Sequence, residues 1–134
     1  MEKTRRQIAR EKAIIGVYQN ILVNSSFDEI LLFLNEDKTL RESEESMSFS
    51  HWLIETTLKN KESYEKLLNK FLKKGWTFDR LGVMERAILL IATCELLESD
   101  LPKKIIINEA VINAKEFCDD DSYKFINGVL SQVI

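Results

Sequence analysis

Residues that break regular structure are scarce in this chain of 134 residues, which contains four glycines and one proline. Such a small supply of turn residues favours helices joined by short connections. No run of about eighteen apolar residues occurs, so the sequence predicts no membrane-spanning helix. The N-terminus also lacks an apolar segment followed by a cleavage site, and we therefore expect no secretory signal.

Residue types that bind metals or perform catalysis are equally sparse. Cys94 and Cys118 do not form a C-x-x-C pair, and His51 is the only histidine. We expect two idle thiols in a cytoplasmic protein and a histidine on the surface or between helices. Asp119–Asp121 lacks the spacing of a calcium loop and is expected to cap a helix. Because no phosphate-binding loop or nucleophile motif is present, the sequence predicts no cofactor, no metal site and no enzymatic activity.

What the chain does contain is helical patterning on a composition that is 45% hydrophobic and 31% charged. This balance allows a buried core, and the length suits one domain over residues 1–134. Apolar spacing predicts about seven helices and no strand, which makes the fold all-α. We place the helices at about 4–24, in a short segment after Ser26, and at about 47–59, 61–74, 80–98, 104–117 and 122–133.

Local signals set several of these boundaries. Thr4 with Gln7, and Ser26 with Glu29, have the spacing of capping boxes that begin the first two helices. Gly75 is expected to end the fourth helix as a left-handed residue after its last turn. Residues 35–46 are polar and are predicted to form a loop.

Charge is distributed unevenly around a net value of −3. A basic cluster occupies residues 1–12, an acidic stretch lies within residues 28–45, and residues 59–80 are basic again. Basic islands on an acidic protein suggest a local contact with a polyanion. The basic residues of the first cluster are Lys3, Arg5, Arg6, Arg10 and Lys12.

The arginines of this cluster stand in an unfavourable place for their own helix. Arg5 and Arg6 lie in its first turn, where the helix dipole disfavours cations, and Arg10 shares a face with Arg6. Phosphates would supply the missing anions, although a solvated terminus with incidental arginines explains the spacing equally well. A second row of cations, Lys59, Lys66, Lys70 and Lys73, is expected to be the solvated face of a helix.

The last helix contains an unusual pair, Asn127-Gly128, within an apolar run. A glycine inside a helix costs about 1 kcal/mol relative to alanine. We therefore predict that another backbone packs closely against Gly128.

Five segments of the chain occur in a characteristic order. The first two are the arginine-rich 5–13 with Tyr18 after it, and the central helix with Arg80-Leu81, 85–89 and Glu95-Leu96. The others are Pro102-Lys103-Lys104, then 107–110 with Ala114-Lys115, and finally 121–130. No single segment is specific, but in this order they resemble the bacterial transcription antitermination factor family NusB.

This resemblance implies an all-helical fold of two packed bundles and a protein without enzymatic activity. It implies binding to the boxA element of ribosomal RNA leader transcripts together with NusE, a ribosomal small-subunit protein. Other Nus factors and RNA polymerase would join indirectly, and the protein free of partners could form a homodimer.

The resemblance also assigns roles to single residues. RNA phosphates would be held by Arg5, Arg6 and Arg10, with Lys3 beside them, and the RNA path would run along Asp121, Ser122, Lys124 and Phe125. Tyr18 and Glu85 match positions on the surface that faces NusE.

The chain also departs from the family pattern. Gln7 and Ile8 stand where some members have further arginines, which predicts weak binding to RNA alone. Thr93-Cys94 lies where an aromatic residue is common, and the acidic stretch at 36–45 has no clear family counterpart.

Two alternatives compete with this interpretation. One is the NusB-like RNA-binding domain of some ribosomal RNA methyltransferases, which would need a separate catalytic domain with a cofactor-binding sheet. The other is a helical protein-interaction module in which the arginines have no RNA role.

Overall fold

The computed structural model describes residues 2–134 and contains eight α-helices and one short 3-10 turn over that range, with no strand. The all-helical prediction is confirmed. The helices are α1 (Arg5–Val23), α2 (Phe27–Glu36), α3 (Lys38–Arg41), α4 (Glu44–Lys59), α5 (Lys61–Asn69), α6 (Val83–Glu98), α7 (Lys103–Phe117) and α8 (Ser122–Leu130), and the 3-10 turn is Phe78–Arg80.

Both predicted capping boxes are present. The Gln7 backbone N–H donates to Thr4 Oγ1 at 3.0 Å, and the Thr4 N–H donates to the Gln7 side chain at 2.9 Å. Ser26 and Glu29 make the equivalent pair at 3.2 Å and 2.8 Å. These bonds satisfy backbone N–H groups that have no partner within the helix, which is why the sequence signal located both starts correctly.

The predicted loop at residues 35–46 is wrong. Asp37 Oδ1 accepts a hydrogen bond from the Leu40 N–H at 3.0 Å and begins α3, while Ser43 Oγ accepts one from the Ser46 N–H and begins α4. Leu40 is fully buried and anchors the short helix. One apolar side chain gives no periodic pattern in the sequence. Two of the polar residues near it, Asp37 and Ser43, are the N-caps of α3 and α4.

The helix predicted at 61–74 is shorter than expected, because α5 ends at Asn69. Gly75 does adopt a positive φ of 90°, but it lies in the connection that follows and does not cap the helix. The connection is held partly by the Asn69 side chain, whose oxygen accepts from the Phe78 N–H at 2.7 Å.

Helix α6 is the centre of the molecule. All ten residues from Ala87 to Leu96 are buried, so this helix is covered on every side and not only on one face. It contacts α1, α4, α5, α7 and α8. Helices α1–α4 all contact one another and α7 contacts α8, so two groups of helices pack against the shared helix α6.

One glycine in this core has a clear steric reason. A Cβ at Gly16 would lie 2.7 Å from Ile54 Cδ1 and 2.8 Å from Ile30 Cγ2. Helices α1, α2 and α4 can approach this closely only because position 16 has no side chain.

The remaining sequence expectations concern thiols, the histidine and membrane helices. Cys94 and Cys118 are unpaired, and burial raises the pKa of each thiol to about 11. His51 Nε2 lies 3.2 Å from Asn35 Oδ1, which joins α4 to α2 at the surface. Within residues 2–134, no helix has the length and apolar character needed to cross a membrane.

Candidate nucleic-acid and partner interface

Arg10 lies in the core and not on the predicted basic surface. Its side chain is 5% exposed, and its Nε and Nη2 atoms donate to the two carboxylate oxygens of Glu95 at 2.6 Å and 3.0 Å. Glu109 Oε2 lies 3.8 Å from Nη1. Because the planar guanidinium is already bound on its matching edge, the prediction that Arg10 holds an RNA phosphate is corrected. It joins α1 to α6 and α7.

Arg6, one helical turn earlier, remains on the surface. Its guanidinium carbon lies 4.0 Å from the centre of the Phe49 ring, and Nη2 lies 3.0 Å from Glu45 Oε1. The side chain is 47% exposed. Stacking on Phe49 fixes the plane of the guanidinium while leaving donors free for an anion.

Lys3 and Arg5 flank this position. Lys3 Nζ bonds to Glu11 at 2.7 Å and to Glu116 at 2.8 Å. These hydrogen bonds raise the pKa of Lys3 above its usual value. Arg5 is exposed and forms no ion pair with any residue that the structure describes. The three surface cations thus differ in the number of carboxylates that they already bind: two for Lys3, one for Arg6 and, among the described residues, none for Arg5.

Four residues that sequence reasoning missed complete this region: Glu95, Glu109, Phe49 and Glu45. A signal existed for Glu95, because a carboxylate inside an otherwise apolar helix needs a cationic partner. Glu109 also accepts from the Gln7 side chain at 3.2 Å. Gln7 therefore belongs to the structural network that joins α1 to α7.

The start of α8 carries the second predicted set. Lys124 is 67% exposed, and its Nζ lies 3.6 Å from Asp121 Oδ1. Phe125 is half-buried and borders an open groove of about 700 Å³ together with Ser122, Glu85 and Asp121. Asp119 and Asp120 also line this groove, whereas Lys124 lies outside it. The accessible aromatic ring of Phe125 is suited to stacking on an unpaired base.

Tyr18 and Glu85 lie beside this groove. Both line a neighbouring depression of about 360 Å³, to which Ser122 also contributes. Glu85 Oε1 accepts from the Gly82 N–H at 3.1 Å, so the start of α6 fixes its carboxylate. The structure thus brings the predicted partner residues and part of the predicted RNA path onto one continuous surface.

Three further expectations have different outcomes. The lysines at 59, 66, 70 and 73 are all exposed, as predicted, but they do not share one helix, because Lys59 ends α4, Lys66 lies in α5, and Lys70 and Lys73 follow it. The predicted capping by Asp119–Asp121 is wrong, because Asp121 occupies the N-cap position of α8 without a side-chain hydrogen bond, and the Asp119 backbone carbonyl accepts from the Ser122 N–H at 2.9 Å. Within residues 2–134, no cluster of side chains suited to a metal ion occurs.

The prediction for Gly128 is also wrong. A Cβ built at this position meets no atom within 4 Å, and the residue is exposed. No backbone within residues 2–134 packs against this face of α8. A close contact does occur at Gly16, but it is made by the side chains of Ile30 and Ile54 and not by another backbone.

Comparisons with known proteins identify the family of the chain. The model of the NusB family matches residues 7–134. The chain is 45% identical over 111 residues to the transcription antitermination protein NusB of Staphylococcus haemolyticus, covering 81% of this chain and 80% of the relative. It is 37% identical over 130 residues to NusB of Staphylococcus aureus strain JH9, covering 96% and 97%.

Solved structures give the same result. NusB of T. maritima superposes with a TM-score of 0.85 at 29% identity, covering 99% of this chain and 92% of that one. A crystal structure of the antitermination factors NusB and NusE in complex with dsRNA contains a chain that matches with a TM-score of 0.80 at 27% identity, covering 96% and 95%.

Proposed function

The chain belongs to the NusB family of transcription antitermination proteins, and from this premise we propose that it binds the boxA element of ribosomal RNA leader transcripts together with NusE. The pair would join other Nus factors on RNA polymerase in the cytoplasm and suppress termination. The protein would act without enzymatic activity and as one domain over residues 1–134. The observation that supports this proposal best is the match, over 96% of this chain, to a chain in the crystal structure of NusB and NusE in complex with dsRNA.

The RNA surface that we propose has two parts. At the start of α1, Arg5 and Arg6 contact phosphates, with Lys3 beside them. At the start of α8, Lys124 contacts a phosphate and Phe125 stacks on an unpaired base, with Asp121 and Ser122 along the same path. Phosphate contacts position the RNA, and stacking adds about 1–3 kcal/mol per base.

The NusE surface that we propose contains Tyr18 and Glu85. Their position beside Ser122 supports a partner that touches both the protein and the bound RNA. The body of the chain is acidic, with a net charge of −3. A basic ribosomal protein would therefore be attracted to it, and the opposite charge at the arginines would help to orient the assembly.

The test is RNA binding by Arg6→Ala, measured by fluorescence anisotropy with a labelled boxA-like RNA across a salt titration, with and without NusE. One lost phosphate contact should lower the slope of log affinity against log salt by about 0.7. Lys66→Ala is the matched control, since it removes an equal charge from the solvated lysine row. An unchanged slope for Arg6→Ala would favour a protein-interaction module without an RNA role.

The partner surface has its own test. Glu85→Lys should weaken NusE binding more than direct RNA binding, because it reverses one charge on the proposed NusE surface. Circular dichroism must first show that the variant folds. If the folded variant binds NusE as the parent does, the proposed partner surface is misplaced.

A further inference from the structure

We propose that three carboxylates, Glu11, Glu45 and Glu116, act as built-in competitors of RNA: they bind Lys3 and Arg6 in the free protein, and RNA phosphates compete with them for these cations. We call these three residues the acidic flank. The inference rests on the proposed function, because it assigns regulation of affinity to the same surface. It also gives a role to the end of the acidic 36–45 stretch, which contains Glu45.

The contacts that carry this inference satisfy the same cations that are proposed to meet RNA. Lys3 Nζ is 2.7 Å from Glu11 and 2.8 Å from Glu116, and Arg6 Nη2 is 3.0 Å from Glu45. A carboxylate offers a cation two charged oxygens, as an RNA phosphate does. Both ligands therefore compete for the same donors.

A second contact between the acidic stretch and α1 helps to position Glu45. This contact is the ion pair of Asp37 with Lys12, which we call the tether. Asp37 Oδ2 binds Lys12 Nζ at 3.1 Å, and Asp37 Oδ1 begins α3. Burial would raise the pKa of Asp37, but hydrogen bonds from the Leu40 N–H and from Lys12 hold it below its usual value. The acidic stretch is thus fastened to α1 at Lys12, and α4 then begins beside Arg6.

Exposure distinguishes these exchangeable pairs from a permanent one. Glu45 is 83% exposed and Glu116 39%, and Glu11 is intermediate at 16%, whereas Glu95, the partner of Arg10, is 1% exposed. An exposed pair is weak and screened by water, so a phosphate can replace its carboxylate. A buried pair cannot be opened without leaving an unpaired charge in the core.

The experiment compares Glu45→Gln, Glu116→Gln and their combination with the wild-type protein, using a labelled boxA-like RNA and a scrambled RNA of equal length at fixed salt. Each single variant should bind both RNAs about two- to fivefold more tightly, the range that corresponds to one exposed ion pair. The gain should be equal for the two RNAs, because the acidic flank competes with phosphates and not with bases.

Glu44→Gln is the matched control. Glu44 neighbours Glu45 in the first turn of α4, is exposed, and makes no ion pair with the residues that the structure describes. It changes the net charge and the helix dipole interaction equally, so Glu45→Gln should exceed it. In an Arg6→Ala background the gain from Glu45→Gln should disappear, since the pair is already broken.

Two outcomes overturn the inference: a gain from Glu45→Gln no larger than that from Glu44→Gln, or a gain confined to the boxA-like RNA. These results are separable from failure of the proposed function. If Arg6→Ala binds RNA as the wild type does, the proposed function itself fails. If Arg6→Ala weakens binding and Glu45→Gln brings no specific gain, only the acidic flank is wrong.

Discussion

The beginnings of α1 and α8 carry the two parts of the proposed RNA surface, but they present their cations differently. At α1, Lys3, Arg6 and Arg10 each bind carboxylates, and one of the three is buried. At α8, Lys124 is mostly exposed and only loosely paired with Asp121. The comparison teaches that a cluster of basic residues in a sequence can contain both structural and ligand-binding members. Burial and the partners of each side chain separate them.

The largest effect is expected where a cation is structural. Arg10→Met should lower the free energy of unfolding by about 3–5 kcal/mol, because Glu95 would remain buried without its partner. Urea denaturation followed by circular dichroism measures this change. Adding Glu95→Leu should recover most of the loss, since an apolar pair can replace a buried ion pair.

The same double variant also tests whether Arg10 contributes to RNA binding. Once refolded, the Arg10→Met, Glu95→Leu protein should bind RNA as the wild type does. Wild-type stability in Arg10→Met alone would show that this arginine is not the structural member of the cluster.

The next effect concerns the open cation at α8. Lys124→Ala should weaken RNA binding about tenfold, as expected for the loss of one charged hydrogen bond of about 1.5 kcal/mol. Its melting temperature should stay close to that of the wild type, because the side chain is exposed and weakly paired. Lys115→Ala is the matched control, since Lys115 Nζ and Lys124 Nζ both lie over the Tyr123 ring, at 4.6 Å and 5.9 Å from its centre. If Lys124→Ala binds RNA no more weakly than Lys115→Ala does, Lys124 does not contact RNA and α8 is not part of the proposed RNA path.

A smaller effect is expected at Gly128. Because open space surrounds this position, Gly128→Ala should stabilise the protein by up to about 1 kcal/mol. Thermal unfolding measures the gain, and RNA affinity should be retained. Gly16→Ala is the contrasting variant and should destabilise, since its Cβ would meet two isoleucines. A loss of RNA affinity in a stabilised Gly128→Ala protein would show that RNA approaches this face.

The smallest effect is a pH dependence at the tether. Asp37 has a lowered pKa in the folded state, so its contribution to stability is present above the unfolded pKa and is lost as the pH falls through the folded one. Asp37→Asn should therefore destabilise the protein at neutral pH and lose this effect in acid. Urea midpoints at a series of pH values measure it. A constant difference across the series would show that the charge of Asp37 is unimportant.

Sequence reasoning succeeded wherever local chemistry determines structure. The capping boxes at Thr4 and Ser26 and the long apolar run of α6 depend on neighbours within a few residues. It failed at Leu40, where one buried side chain anchors a whole short helix. It also failed at Gly128 and Arg10, because an open face and a buried partner 85 residues away are products of tertiary packing. The residues of the proposed interfaces stay predictions, although the structure gathers Tyr18, Glu85, Ser122 and Phe125 on one surface.

The buried helix α6 has a consequence for how RNA length should matter. It contacts both α1 and α8, so the helices that carry the two parts of the proposed RNA surface pack against the same helix. Binding of one RNA at both parts is bivalent. Once one segment of the RNA is bound, the effective concentration of the other segment near its own binding site is raised. We expect the tightest binding for an RNA in which the spacer between the two bound segments matches the distance between the two parts of the surface. Nucleotides inserted between the two bound segments should therefore reduce affinity even when every contact remains available.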